Sequence, residues 1–453
     1  MTESDRTRTT MTTKLRTFLI LWSGQVVSIF GTSMTGFALG VWVFQTTGSV
    51  TRFALISFSS AFPAIVLLPA SGIIVDRFNR LRVMIWGDLG AALGTVAIAA
   101  LLWLGYLEIW HIYVLMAFAS AFSTPQALAF DASIPLLVDR QQLGRANALH
   151  QFGAGIAETA APLLAGLLVV SIGLEGIILI DVATFVFAVM TLLIIRIPRH
   201  EPSVEKIGKE PQQESLKQRL LAGWHFIRSR PGLVGLMFYF FSLNFTRTAV
   251  LVLLTPLVLS FAAPTELGAV LALGAAGMMT GGILMAAWGG PERRMTSIYA
   301  GNLLYSVMLI LGGLRPNITL ISVAAFLMLL TSPFINSAVQ ALWQSKVPFD
   351  LQGRVFAARR MFTWSAVPLG YLISGPLSDR LFEPLMAEGG ALAGALGPIF
   401  GVGPGRGVGL FLTLLGVSAL LTLAAGYLHP RIRLVEDELP DVSRKEAADP
   451  ERR

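Results

Sequence analysis

Apolar residues in this chain come in long, nearly unbroken runs rather than in the short periodic groups of a water-facing helix. A helix rises about 1.5 Å per residue, so crossing a hydrocarbon core of about 30 Å takes about 20 apolar residues. Runs of that size cover residues 18–44, 53–75, 83–104, 109–137, 146–172 and 176–197. After a polar break come 233–261, 267–288, 297–314, 318–343, 355–377 and 408–428. The pattern predicts an all-α polytopic membrane protein with twelve transmembrane helices in two six-helix halves. The fourth and tenth runs carry interruptions, Ser123-Thr124-Pro125-Gln126 and Thr331-Ser332-Pro333. Irregular backbone at that depth survives only where protein buries it or it lines a watery path. Both interruptions fall in the fourth span of their half.

The segments between the runs divide the chain further. Residues 1–17 form a polar, basic tail, and the run that follows exceeds the roughly 7–15 residues of a signal-peptide core, so it reads as an uncleaved first span. Residues 18–197 are the first half and 231–428 the second, with a tail at 429–453. The linker, 198–230, opens with a flexible composition and then places Leu216, Leu220, Trp224 and Ile227 on one helical face. Two readings stand for that face: a helix along the membrane interface, or a solvated linker helix. Residues 379–407, rich in glycine and proline, read as an external loop with one short helix around 384–387.

Composition agrees with this pattern. The chain is 54% hydrophobic and 13% charged, against about a quarter charged in soluble domains, too few charges to cover a water-facing surface. The net charge of +7 comes from bases in short loops. With the N-terminus inside, nearly all of the 34 lysines and arginines fall in cytoplasmic segments, among them Arg77, Arg80, Arg145, Arg354, Arg359 and Arg360. The outside loops keep only Arg52, Arg315, Arg380 and Arg406. That asymmetry puts both termini in the cytoplasm and accounts for the positive charge without a nucleic-acid partner. No cysteine is present, which excludes disulfides and thiol catalysis. No phosphate-binding loop, zinc-protease motif or serine elbow occurs, and the five histidines have no metal-ligand spacing. No cofactor or metal is expected, and no enzyme activity.

The halves echo one another. At an offset of 209, Val138, Gly144, Arg145, Ala148 and Gly166 meet Val347, Gly353, Arg354, Ala357 and Gly375, both sets running from the loop before a half's fifth span into that span. Parallel six-helix repeats are a transporter architecture. The loop after the second span reads Gly72-Ile-Ile-Val-Asp76-Arg77-Phe-Asn79-Arg80. A carboxylate at a helix end beside guanidinium groups can clamp neighbouring helix ends and so gate a change of state, although ordinary loop decoration also places such charges there. This Gly-x-x-x-Asp-Arg-x-x-Arg pattern resembles the signature of the major facilitator superfamily, with Asn79 where the family usually has glycine. The fifth span's Ala161-Pro162-Leu-Leu-Ala165-Gly166 resembles the family's antiporter motif, alanine replacing most of its glycines. The paired loops at Gly144-Arg145 and Gly353-Arg354, with Gly-Trp-x-Phe-Ile-Arg at 223–228, are similar to the macrolide-efflux and siderophore-export branch. The resemblance implies a secondary transporter that works by alternating access.

Ionisable residues inside spans are costly and so mark candidate function. Glu158 falls midway along the fifth span: proton carrier, cargo contact, or half of a structural ion pair. Arg247 is central in the seventh, an anion contact or counter-ion, with Asn244 one turn away. Gln25 and Asn336 are polar enough to line a cavity, or to pack helices. Asp88, Asp131 and Asp181 read as links between neighbouring helices or loops. The resulting expectation is a monomeric exporter of an amphipathic small molecule (a macrolide-like drug, siderophore or peptide metabolite) in the cell membrane, driven by proton antiport. An importer or a lysolipid flippase of the same fold is the alternative. Reporter fusions after Arg82, within 198–230 and at the C-terminus are expected to report cytoplasm, and one near Gly390 the outside. An external signal from the linker would overturn the six-plus-six reading.

Overall fold

The computed structural model describes residues 3–138, 142–195, 223–291 and 293–438. Inside helices the side chains of residues 1–14 and several others, Asp76 and Glu158 among them, are outside the described set. Among the described residues there are helices and no strands. Backbone N–H and C=O groups have no water to bond to in lipid, and a helix satisfies them within its own segment. The chain packs as two compact units, Met1–Ser203 with Ala262–Ala272, and Val204–Phe261 with Leu273–Arg453.

In the first unit α1 (Glu3–Thr47), α2 (Val50–Arg77), α3 (Arg80–Trp103) and α4 (Ile109–Leu137) follow one span per run. Helix α1 starts well inside the segment read from sequence as a tail. The fifth and sixth runs form one continuous element, α5 (Leu143–Ile194). As a straight rod its 52 residues would reach about 78 Å, far more than a bilayer. Gly173, at φ 69° and ψ −176°, breaks it, a left-handed φ that a side chain rarely tolerates. The contacts of α1 show what the break does. Trp22 Nε1 donates to the Leu149 carbonyl at 3.1 Å and Val26 meets Gly153, while Gly24 lies against Thr191 and Thr32 against Asp181. Along α1 the first leg therefore runs upward in number and the second downward, so Gly173 turns α5 into an antiparallel hairpin. Twelve crossings follow although only ten described helices are individually long and apolar enough to span.

The second unit contains α6 (Pro231–Leu259), most of α7 (Pro264–Trp288), α8 (Arg294–Leu314), α9 (Ile318–Leu330), α10 (Ser332–Lys346), α11 (Phe349–Trp364), α12 (Ala366–Leu377) and later helices. The tenth run breaks at Thr331, where Pro333 follows in α10, whereas α4 stays helical through Pro125. In α4 the Ser123 and Thr124 hydroxyls fold back on the Ser120 carbonyl at 3.2 and 2.7 Å, so the polar run hides its own groups. The eleventh run is also broken, at Ser365 between α11 and α12.

Residues 379–407 are more ordered than their composition suggests. A π-helical turn (Ser378–Phe382) leads into α13 (Glu383–Met386), and α14 (Ala393–Phe400) precedes α15 (Arg406–Leu428). The Glu383 carboxylate accepts from the Gly405 and Val408 N–H groups at 3.1 and 2.9 Å, so it caps the last span from outside its own helix. Met386, Phe400 and Leu410 form a small core beneath it, and Phe382 stacks on Phe411. Burial raises the pKa of Glu383, opposed by those two N–H groups and by Arg406. Helices α16 (Pro430–Arg433) and α17 (Val435–Glu438) close the described chain. Of the linker, residues 223–228 are helical, with Ile227 fully buried in the second unit's core. The amphipathic face thus docks on protein at Ile227; Leu216 and Leu220 lie outside the described residues.

Helix α7 packs on α9 through backbone contact. A Cβ added at Gly277 would strike the Phe326 carbonyl, and one at Gly281 the Leu330 carbonyl, while Gly282 faces open space. Hydrophobicity does not drive helix pairing in lipid, so such small-residue seams carry much of the packing. Gly277→Ala and Gly281→Ala are each expected to cost about 1–3 kcal/mol by overpacking, and Gly282→Ala nothing. Melting of the detergent-solubilised protein by size-exclusion fluorescence checks this; equal melting of all three would refute the seam.

Candidate functional site

Polar side chains at span depth are treated differently in the two units. In the first they saturate one another. Gln25 is buried, and its Nε2 donates to Asp88 Oδ2 at 3.1 Å while its Oε1 accepts from Gln126 Nε2. One amide thus ties α1 to α3 and α4, and both its ends are engaged, so it acts as a packing amide. Asp181 is fully buried and sits among the hydroxyls of Thr32 and Thr95 at 3.4 and 3.5 Å. These acids link neighbouring helices. Asp131 lies 3.3 Å from His150 Nε2, and the His150 ring packs on Phe130. The sequence shows no ligand spacing around this histidine, and only the packing of α4 on α5 brings the pair together.

The loop after the second span is built for a close turn without glycine. Phe78 is extended, and Asn79, at φ −62°, caps α3 by accepting from the Leu81 N–H at 2.9 Å. Its φ is ordinary for any residue, so the family's glycine is not required here. Arg80 Nη1 donates to the Ala132 carbonyl at 2.8 Å, fastening the start of α3 to α4. Arg77 is exposed and Gly72 has open space around it; the Asp76 side chain is outside the described set. Ala161 is fully buried, and Pro162 and Gly166 on α5 face the start of α7. A Cβ at Gly166 would come within 2.6 Å of the Pro264 carbonyl, and one at Gly268 within 2.9 Å of the Pro162 carbonyl. The antiporter-like stretch is thus a close-packed seam inside the first unit. Glu158 lies in the first leg of α5, its side chain outside the described set.

The handover loops repeat. Val138 ends α4 and Val347 ends α10, both extended and both buried. Gly144 follows at the start of α5 and Gly353 within α11, with Arg145 exposed and Arg354 half-buried. The Arg354 carbonyl lies against Gly223, which joins the Gly-Trp-x-Phe-Ile-Arg turn to this loop.

The second unit holds a cavity of about 150 Å³ between α6, α10 and α11. Asn244 and Arg247 of α6, Asn336 of α10, and Arg359 and Thr363 of α11 line it, with Trp364 among the apolar side chains. Arg247 lies over the Tyr305 ring, 5.7 Å away, and Arg359 over Trp343 and Phe356, each at 5.2 Å. Arg359 Nη2 donates to Gln340 Oε1 at 3.2 Å, but Arg359 Nη1 and Arg247 Nη2 are buried with no hydrogen-bond partner among the described residues. Among the described residues no carboxylate lines the cavity. Arg359 corrects the sequence reading, which counted it among the loop bases although it sits inside the eleventh run. Arg406, counted as an outside-loop base, is a buried first residue of α15 over the Phe261 ring. A larger cavity of about 500 Å³ lies at the ends of α6 and α15. Its lining is mostly apolar, with Thr422, His429 and Arg431 as the main polar side chains, and it has no comparable pair of free donors.

Removing one partner from a saturated cluster should be costly, and replacing it conservatively cheap. Asp88→Leu would leave the Gln25 amide without its acceptor, at a cost of about 1–3 kcal/mol, while Asp88→Asn retains an acceptor. Thermal melting should fall clearly for the first and little for the second; the reverse order would mean Asp88 is not a packing link.

The comparisons with known proteins agree with this architecture. The chain is 28% identical over 379 residues to macrolide efflux protein A of Streptococcus pyogenes, covering 80% of this chain and 90% of that protein. It is 24% identical over 388 residues to the multidrug efflux pump Tap of Mycolicibacterium fortuitum, covering 81% and 90%. Among solved structures, an inward-facing, unoccupied bacterial homolog of the human lysosomal transporter Spinster superposes with a TM-score of 0.67 at 16% identity, over 93% of this chain and 98% of that one. An inward-facing bacterial homologue of the iron transporter ferroportin gives 0.64 at 15%, over 91% and 98%. The family model of the Major Facilitator Superfamily matches residues 21–371, and the chain, a multi-pass membrane transporter with twelve spans and no enzyme, belongs to that superfamily.

Proposed function

We propose that this protein exports amphipathic small molecules across the cell membrane by proton antiport, as a monomer with both termini in the cytoplasm. The observation that carries the reading is the α6–α10–α11 cavity, where polar side chains stand unmatched at span depth. Such groups are expensive in lipid and mark substrate or ion pathways. The relatives named for macrolide and multidrug efflux support the outward direction.

In this reading Arg247 and Asn244 contact the cargo, and Glu158 on α5 carries the coupling proton. Asp76, with Gly72, Arg77 and Arg80, belongs to a gating loop that biases one state of the alternating-access cycle. The Arg80–Ala132 link is the described part of that clamp. The Pro162–Gly166 seam keeps α5 and the start of α7 rigid while the cycle turns, and the Gly144-Arg145 and Gly353-Arg354 loops form the matching hinges of the two halves.

Inverted membrane vesicles, energised and offered macrolides, siderophores, peptides and lysolipids, test the proposal. Uptake of at least one compound that a protonophore abolishes is the expected result; lysolipid movement indifferent to the gradient would instead favour a flippase. Glu158→Gln should abolish uphill uptake and leave binding intact. Asp76→Asn should slow turnover with little change in affinity, because a gating loop lies away from a midplane site. Uphill transport by well-folded Glu158→Gln protein would remove Glu158 from the coupling role.

A further inference from the structure

The geometry points to an acidic cargo: we infer that the α6–α10–α11 cavity binds the anionic head of an amphiphile through Arg247 and Arg359. This rests on the transport reading above and names the chemistry that the site selects. Arginine keeps its charge in almost any protein setting, so two guanidinium groups facing one cavity impose a positive field on it. A buried cation is ordinarily paired with an acid, and here neither arginine has an acid partner among the described residues. Each instead leaves a buried N–H donor unused, Arg247 Nη2 and Arg359 Nη1. The groups around them do not compete for that role. The aromatic faces of Tyr305, Trp343 and Phe356 offer weak attraction, and the Gln340 oxygen is neutral and takes one N–H only.

Size narrows the ligand. At about 150 Å³ the cavity falls below the roughly 300–1,000 Å³ that enclose a drug-sized molecule. It accommodates a carboxylate, sulfonate or phosphate with its first few atoms, and the apolar remainder of the cargo must extend beyond it. Planar guanidinium forks suit oxygen pairs on carboxylate and phosphate groups. Asn244 and Asn336 add neutral amides at the rim. A cargo bearing an amine would meet two like charges with no carboxylate to receive it.

The full-length protein in nanodiscs tests this without any gradient. Octyl phosphate and octanesulfonate are titrated against octyltrimethylammonium of equal chain length, using tryptophan fluorescence, since Trp343 and Trp364 flank the site. The anionic probes should bind at least about tenfold more tightly than the cationic one. Arg247→Gln and Arg359→Gln should each weaken the anions by about tenfold or more and bind the cation no more weakly than before, while Arg359→Lys retains part of the preference. Inorganic sulfate should compete with octyl phosphate on the unaltered protein, a reading that needs no variant to fold. Equal binding of cation and anion, or full octyl phosphate affinity in both glutamine variants, overturns the inference. Absence of gradient-driven transport in vesicles would overturn the export reading alone, and anion selectivity in nanodiscs would survive it.

Discussion

Lipid supplies no hydrogen bonds, and every polar group carried into it must be answered by protein or left at a cost. The backbone answers by forming helices, and the proline-bearing α4 goes further by turning serine and threonine hydroxyls back on its own carbonyls. The side chains answer in two opposite ways. In the first unit, Gln25 spends both ends of its amide on Asp88 and Gln126, and Asp181 is enclosed by threonines. Acids and amides there are part of the packing. In the second unit two bases, Arg247 and Arg359, are brought to depth and left with donors to spare among the described residues. Matching polar groups throughout would have given a stable, inert bundle. The mismatch on one side is what makes a binding reading specific.

The same constraint explains where the chain bends. A turn between spans exposes carbonyl and amide groups, so it must be short or capped. Gly173 solves this with a single left-handed residue, Asn79 with a side-chain cap, and Glu383 with a carboxylate borrowed from a neighbouring short helix. Val138 and Val347 solve it a fourth way: an extended β-branched residue buried in a core cluster marks each handover from the fourth to the fifth span of a half. At Val138 and Val347 the weak sequence echo between the halves therefore falls on residues with the same conformation and burial, which is how a repeat persists after most identities have gone.

What the sequence could show follows from range. Span number and position depend on local hydropathy, and these were legible: the break at Gly173 falls between the fifth and sixth runs, while Ser365 adds one inside the eleventh that hydropathy alone cannot place. Arg247 and Asn244 were visible because a charge in an apolar run stands out. Arg359 was hidden by its neighbours: with Arg354 and Arg360 nearby it read as one of a group of loop bases, and only the α11 register turns it inward while Arg360 stays exposed over Trp364. The spacing to Thr363, one turn on and also lining the cavity, was the signal available. His150 with Asp131, and the folded segment around Glu383, rest on contacts between distant or weakly patterned positions, and hydropathy does not encode those.

An anionic cargo also bears on direction. A membrane potential, negative inside, works on any charge that crosses with it, at about 2.3 kcal/mol per charge per 100 mV. Moving a monoanion outward and a proton inward shifts two positive charges inward per cycle, so the potential drives such an exchange by about twice that amount. The same potential opposes uptake of a free anion and gives no help to an electroneutral exchange of cation for proton. On the proposed anionic cargo and proton exchange, the potential therefore favours export on energetic grounds that are independent of the relatives' names. They also make release easier to understand. A cargo held by charge at the head, with its apolar part outside a cavity of about 150 Å³, is weakened as soon as water reaches the arginines, because the attraction between charges falls steeply as the local dielectric rises. Opening the cavity to the far side is then sufficient to lower affinity, and no separate displacing group is needed.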